Sequence, residues 1–270
     1  SKISYIKWDM NRSITECYSV ALPADRQGEV FHRYILGVYD LYDRLTTAFP
    51  QILFESCASG GGRFDPGMLY YAPQGWISDD TDAAERVRIQ YGTSMCYPIS
   101  SMGSHVSGVP NHQLNRITSL HTRANVAYFG TFGYELDLNK LTDEEIAEVK
   151  AQIIFMKEYR ELIQFGNFYR LKSPFDGNET VWMTVSEDKR KALVFWYRER
   201  NVVNAEFTRV RLQGLDPDLI YKNEYNGTEN YGDELMNLGL LTTDVTAGEP
   251  TNEDLPCTDY ESRIYVLTAE

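Results

Sequence analysis

Two short apolar runs in this chain end abruptly in carboxylates: Tyr5-Ile6-Lys7-Trp8-Asp9-Met10-Asn11-Arg12 and Trp76-Ile77-Ser78-Asp79-Asp80-Thr81-Asp82. A buried strand that stops in acids is how a parallel α/β barrel presents reactive side chains at the carboxyl ends of its strands. Two such ends suggest a paired-carboxylate site. Glycoside hydrolysis needs such a pair, one acid attacking or activating water and the other protonating the departing oxygen, because an oxocarbenium-like transition state must be stabilised while an alkoxide leaves. Asp9 and Asp79 are the candidate pair. Taken singly, either Asp reads more readily as a helix N-cap or a solvated loop acid.

The elements that must position them follow from periodicity. Residues 28–48 carry apolar side chains at helical spacing and stop at Phe49-Pro50. Residues 51–57 read as a strand ending in an acid and a thiol, Glu55 and Cys57, followed by the loop Ala58-Ser59-Gly60-Gly61-Gly62-Arg63, and a third strand ends at Asp79. A helix is expected from Asp82 to about Tyr97. Short strands are expected at 101–107 and 126–132, with helical character over 112–125 between them. This alternation is that of βαβ units and a parallel sheet. Thr142 opens an acidic helix with Glu145 placed for a capping box, ending near Gly166. Beyond Tyr169 the texture changes to alternating segments, 180–185, 192–197 and 207–212, separated by Gly, Asp and Asn turns. The expected fold is therefore α/β: a partial (β/α)8 barrel over 1–169, followed by an antiparallel β-sandwich over 170–270.

Composition narrows the function. Hydrophobic residues are 43% and charged residues 24% of 270, ordinary values for a globular chain. A formal net charge of -13 disfavours a nucleic-acid partner, which would require clustered Lys and Arg. Four scattered cysteines form no CxxC pair, so a reducing compartment and a cytoplasmic location are expected. No apolar run is long enough for a membrane span, and the first residues show no signal-like core. Gly60-Gly61-Gly62 could cradle a phosphate but lacks the GK[ST] ending. The Asp79–Asp82 run lacks the glycine and distal Glu of a calcium loop. Neither a metal nor a cofactor is expected.

Three ordered blocks carry a more specific signal: Lys7-Trp8-Asp9-Met10-Asn11-Arg12, Glu55-Ser56-Cys57-Ala58-Ser59-Gly60-Gly61-Gly62-Arg63-Phe64-Asp65 and Trp76-Ile77-Ser78-Asp79-Asp80-Thr81-Asp82-Ala83. Together they resemble the signature blocks of family 36 glycoside hydrolases, the large bacterial α-galactosidases. Residues 101–107 and 109–113 resemble the family's downstream part, as does the trailing β-rich segment. The resemblance implies a retaining double displacement on α-galactosides of the melibiose or raffinose type, with Asp9 as nucleophile and Asp79 as acid/base. It also implies that Lys7 and Asn11 bind sugar hydroxyls, that Cys57, Ser59 and Gly60 wall the 2-hydroxyl, and that Trp76 is an apolar platform. Trp8, Arg12, Arg63 and Asp82 would support the site, with Lys7 and Arg12 keeping Asp9 ionised.

Members of that family are longer, and by this resemblance the chain begins at the fourth barrel strand. Five strands cannot close a barrel, so an N-terminal half is the expected partner, together with further copies of the chain in an oligomer. Two alternatives keep the fold: an α-N-acetylgalactosaminidase, or a galactosyl transferase of the raffinose-synthase kind. A third is a non-catalytic carbohydrate-binding or assembly piece.

Overall fold

A computed structural model describes residues 2–11, 14–202, 207–242 and 259–269. Backbone contacts divide the chain into two compact units, residues 1–79 with 101–103, and residues 80–100 with 104–270.

The first unit contains β1 (Tyr5–Asp9), α1 (Val30–Ala48), β2 (Leu53–Cys57), α2 (Pro66–Tyr71) and β3 (Gln74–Trp76). The strands run parallel, with Asp9 opposite Cys57 and Glu55 opposite both Lys7 and Gln74. Parallel strands need a crossover, and the side chains of α1 and α2 meet that need with a shared core. Val38, Tyr42, Phe54, Met68 and Ala72 are buried there, with Ile6, Trp8 and Met10 packed against them. The Trp8 ring lies 4.7 Å from that of Tyr42. Each large apolar side chain so buried contributes roughly 1.5–3 kcal/mol. The turn of α2 is started by Asp65, whose side chain accepts the Met68 N–H, with Pro66 in the first helical turn. Asp-Pro at the start of an apolar stretch is a helix-start signal that the apolar pattern alone does not reveal.

In the second unit α3 (Ala83–Ser94) precedes β4 (Met102–Ser107), whose first two residues belong to the first unit and pair with β3. Then come α4 (Leu120–Ala127), β5 (Thr131–Glu135) and α5 (Asp143–Phe165). The barrel strands are hydrogen-bonded in the order β1-β2-β3-β4-β5, an open run in chain order. The Thr142–Glu145 capping box is present at the start of α5.

The antiparallel part comprises β6 (Asn167–Lys172), β7 (Glu179–Val185), β8 (Lys191–Arg198), β9 (Arg209–Val210), β10 (Ile220–Asn223), β11 (Glu229–Tyr231), α6 (Gly232–Asn237), β12 (Leu240–Leu241) and β13 (Glu261–Ala269). Six strands form a sheet of order β11-β10-β13-β8-β7-β6. One face of it, with Val181, Met183, Val194 and Trp196, is covered by the two-stranded β9–β12 ribbon and Leu235 of α6. The opposite face stacks Trp182 on Phe195 at 4.4 Å, with Phe129 against both.

Four expectations shift. Of the helical character expected over 112–125, only the part from Leu120 onward is helix, and residues 112–119 form turn and loop. The strand expected at 126–132 is β5 at Thr131–Glu135, and residues 126–127 close α4 instead. Residues 122–130 are buried throughout, so no polar face reveals the helical period; Ser119, capping the Thr122 N–H, fixes the helix start. The third strand ends at Trp76, and Asp79 lies in the loop beyond it. Of 207–212, only Arg209–Val210 are strand.

Candidate active site

Side chains alternate across a strand, so β1 sends Ile6 and Trp8 to the helix-packed core and Tyr5, Lys7 and Asp9 to the other face. Glu55 and Cys57 of β2, and Gln74 and Trp76 of β3, share that second face. The result is a polar ladder in rungs. In the lowest, the Tyr5 hydroxyl donates to Glu55 Oε2, and Gln74 Nε2 donates to the same oxygen at 3.0 Å and to the Tyr5 hydroxyl at 2.8 Å. Above it, Lys7 Nζ lies 3.4 Å from Glu55 Oε1 and 4.3 Å from the centre of the Trp76 ring. At the strand ends stand Asp9 and Cys57, directly opposite each other.

Asp9 is exposed and fully engaged. Asn11 Nδ2 donates to Asp9 Oδ2 at 2.9 Å; the Cys57 thiol and the backbone N–H groups of Ser59 and Met10 also face the carboxyl as donors, the two amides making their closest hydrogen bonds to Asn11 Oδ1 at 2.9 Å and to the Cys57 carbonyl oxygen at 3.1 Å. What burial there is opposes the charge, but these four donors outweigh it and hold the Asp9 carboxyl below the usual carboxylate range. The charges expected to do this act elsewhere or lie outside view. Lys7 is paired with Glu55, and Arg12 falls outside the described residues. Burial pushes the Cys57 thiol up to about 11, so at neutral pH it is protonated and available as a donor.

The loop after β2 joins the two acids. Asn11 Oδ1 accepts the Ser59 N–H at 2.9 Å, so one amide bridges the Asp9 carboxylate and the turn. Ser59 and Gly60 both have positive φ, 50° and 76°. A Cβ on Gly60 would lie 2.8 Å from the Asp79 backbone nitrogen, and one on Gly61 would lie 2.6 Å from the Ile77 carbonyl oxygen. Only glycine permits this approach. The glycine run is thus packed on the backbone that carries Asp79, which argues against a phosphate cradle. Asp79 itself is exposed, and its carboxylate makes no hydrogen bond or ion pair among the described residues.

The remaining candidates sit as follows. Trp76 is 4% exposed, its ring face turned to the Lys7 ammonium. Trp8 lies on the opposite face of the sheet, in the core with Tyr42. Arg63 donates to the Met10 carbonyl oxygen at 2.7 Å, tying the loop to the end of β1. Asp82 is buried as the N-cap of α3, accepting from Ala84 and Glu85 N–H groups and pairing with Arg116. Tyr5, Glu55 and Gln74 are given no role by the motifs; the polar residue at every second position of β1 is a signal for Tyr5, whereas Glu55 and Gln74 meet it only through strand pairing. Among the described residues no group of three or more His, Cys, Asp or Glu side chains is placed to hold a metal ion.

Comparison with known proteins gives this architecture its class. The Melibiase family model matches residues 1–166, and the glycosyl hydrolase family 36 C-terminal domain matches residues 179–267. The chain belongs to the Melibiase family. Among curated proteins it is 57% identical over 238 residues to alpha-galactosidase AgaA of Geobacillus stearothermophilus, covering 88% of this chain and 32% of AgaA. It is 53% identical to alpha-galactosidase 1 of Pediococcus pentosaceus, covering 88% of this chain and 33% of that protein. Among solved structures, the AgaA crystal structure superposes with a TM-score of 0.91 at 52% identity, covering 99% of this chain and 36% of AgaA. The α-galactosidase from Lactobacillus brevis gives 0.91 at 53%, covering 99% and 36%. The chain therefore spans about a third of the length of these relatives. Among the described residues no helix is long and apolar enough to cross a membrane.

Proposed function

We propose that this chain carries the two catalytic acids of a retaining α-galactosidase and works together with the barrel strands that its longer relatives possess. The observation that carries this reading is the shared Ser59-Gly60 turn, which is tied to the Asp9 carboxylate through the Asn11 amide and seats the Asp79 backbone against Gly60. One turn thereby fixes the spacing of both acids.

The chemistry follows from how differently the acids are held. Four donors keep Asp9 ionised and fixed, as a nucleophile attacking the anomeric carbon requires. Asp79, with its carboxylate unengaged, protonates the glycosidic oxygen as that bond breaks, leaving an ester between the sugar carbon and Asp9. Asp79, now deprotonated, takes a proton from water, whose oxygen attacks the same carbon and releases the Asp9 carboxylate. Lys7 and Asn11 bind sugar hydroxyls beside Asp9, and Cys57 with Ser59 and Gly60 walls the 2-position. Variants of AgaA have been crystallised with raffinose and with stachyose, which supports terminal α-galactosides as the substrate class. The buried Cys57 thiol, already hydrogen-bonded to Asp9, favours a 2-hydroxyl over the bulkier 2-acetamido group.

The family matches end at 166 and resume at 179, which supports a boundary near 169/170 between barrel and β-rich domains. Cys17, Cys57 and Cys96 are free thiols, which supports a reducing, cytoplasmic setting. A homo-oligomer is proposed on family analogy alone.

The test is hydrolysis of a nitrophenyl α-galactoside by the polypeptide that carries the whole barrel, with the first-formed anomer read by NMR. α-Galactose as first product and loss of several orders of magnitude in Asp9→Ala are expected. Inversion, or turnover equal in wild type and Asp9→Ala, rejects the reading in favour of another mechanism or a non-catalytic binding piece.

A further inference from the structure

We infer that Glu55 is a positioning residue, acting on substrate through Lys7. This inference rests on the α-galactosidase reading above, in which Lys7 binds a sugar hydroxyl. The Glu55 side chain is only 3% exposed, against 36% for Lys7 directly opposite it, and it stands two residues before the end of β2, too deep to touch a sugar there. Its two oxygens have separate tasks. Oε2 takes the hydrogen bonds from Tyr5 and Gln74, one from β1 and one from β3. Oε1 is buried with no hydrogen-bond partner, and the Lys7 ammonium at 3.4 Å is the charge that compensates it.

A buried carboxylate that lost this cation would be strongly penalised, so Glu55 holds Lys7 Nζ in place. The Trp76 ring, 4.3 Å from the same nitrogen, closes the other side. An ammonium has three donors on a flexible four-carbon stem. With the ammonium drawn to Glu55 by charge and bounded by the indole, its three donors are available to a sugar hydroxyl at the strand ends, where Asp9 and Cys57 stand. No part of the Glu55-Ser56-Cys57 motif announces this role, because it depends on Lys7 and Glu55 being directly opposite across β1 and β2.

A double-mutant cycle tests the inference. Glu55→Gln keeps an acceptor for Tyr5 and Gln74 but removes the charge that holds Lys7. The expected result in the whole-barrel polypeptide is a KM for α-galactoside raised about tenfold with kcat within about threefold, the pattern of lost uniform binding. In a Lys7→Met background the same change is expected to have no further effect beyond about twofold, because the residue through which Glu55 acts is already gone. Equal effects of Glu55→Gln in both backgrounds, or wild-type kinetics in the single variant, overturn the inference. Should Glu55→Gln not fold, Glu55→Asp, which retracts the charge by one methylene, enters the same cycle with the same expected non-additivity. Absence of turnover in the wild type would count against the α-galactosidase reading instead; the cycle is then run on galactose dissociation constants, and additivity or absence of binding there rejects the role of Glu55.

Discussion

Cys57 donates its thiol hydrogen to the carboxylate of Asp9, the residue directly opposite it in the β1–β2 pair. The contact works in both directions. Burial raises the thiol to about 11 and keeps the proton on sulfur, while that proton helps to hold the Asp9 carboxyl below its ordinary range. A thiol is a weak donor, but here it completes a set of four around one acid.

Replacing Cys57 with Ala removes one of these donors, and the Asp9 carboxyl rises toward the usual range. In the wild type the depressed value keeps Asp9 ionised to lower pH, so the acidic limb of log(kcat/KM) is expected to move to higher pH in Cys57→Ala. The corresponding stability contribution is present above the unfolded-state value and lost as pH falls through the lowered folded one. Asp9 is exposed, so the change is expected in the rate profile rather than in Tm. An acidic limb that stays in place in Cys57→Ala would show that the thiol does not contribute.

The same burial predicts thiol reactivity. Cys96 is exposed and Cys57 buried. Iodoacetamide at pH 7.5, followed by peptide mass mapping, is expected to label Cys96 within minutes and Cys57 only after denaturant is added. Early labelling of Cys57 would mean that the Asp9–Cys57 pair opens in solution.

On the proposed mechanism the two acids act on opposite faces of the sugar, and azide tests that assignment. In Asp79→Ala the ester to Asp9 still forms from a nitrophenyl galactoside, and azide then attacks from the side of the missing acid to give α-galactosyl azide. In Asp9→Ala the vacated nucleophile face admits azide directly and gives the β-anomer. NMR of the product reads the outcome, and exchange of the two anomers would reverse the assignment of roles.

Much of this is legible in the sequence, because the strand ends are marked by chemistry as well as by pattern. Asp9 and Cys57 fall at the ends of β1 and β2, and Thr142 with Glu145 caps α5 as its spacing requires. What stayed hidden depends on pairing rather than on local sequence. Trp8 and Lys7 are neighbours in sequence, yet the two-residue period places one in the helix-packed core and the other beside Glu55. Asp82 follows two acids and reads as part of their cluster, but it caps α3 and pairs with Arg116, a residue far along the chain. The α4–β5 boundary was obscured because residues 122–130 are buried on every side, which removes the polar face that distinguishes a helix from a strand.

The assignment of Asp82 to the frame can be tested by stability. Its carboxylate caps two N–H groups at 3.0 and 3.1 Å and is buried beside Arg116, so Asp82→Ala removes a cap and leaves the guanidinium with Glu85 alone, at 3.3 Å. A loss of about 2 kcal/mol in denaturant unfolding is expected, from about 1 for the cap and the rest for the broken pair, which Glu85 compensates in part. A loss below about 1 kcal/mol would mean that the buried pair contributes nothing net.

The turn that spaces the two acids is expected to be the most sensitive backbone position in the first unit. At Gly60 an added methyl would meet the Asp79 nitrogen and the Ser78 Cα at 2.8 Å, both backbone atoms, at a φ of 76°. Neither neighbour is the flexible end of a side chain, so either the turn or the 77–79 backbone must move. Gly60→Ala is therefore expected to lose about 1–3 kcal/mol of stability from backbone strain. Because Asp79 is carried on that backbone, kcat should fall by about 100-fold through misplacement alone. Gly37, in the middle of α1 with nothing within 4 Å of an added Cβ, supplies the contrast. Gly37→Ala should stabilise the protein by about 1 kcal/mol through helix propensity, with unchanged kinetics. Unfolding curves and initial rates on both variants decide the point. If Gly60→Ala loses stability but keeps full kcat, the turn is a folding device only, and the spacing of Asp9 and Asp79 is set elsewhere.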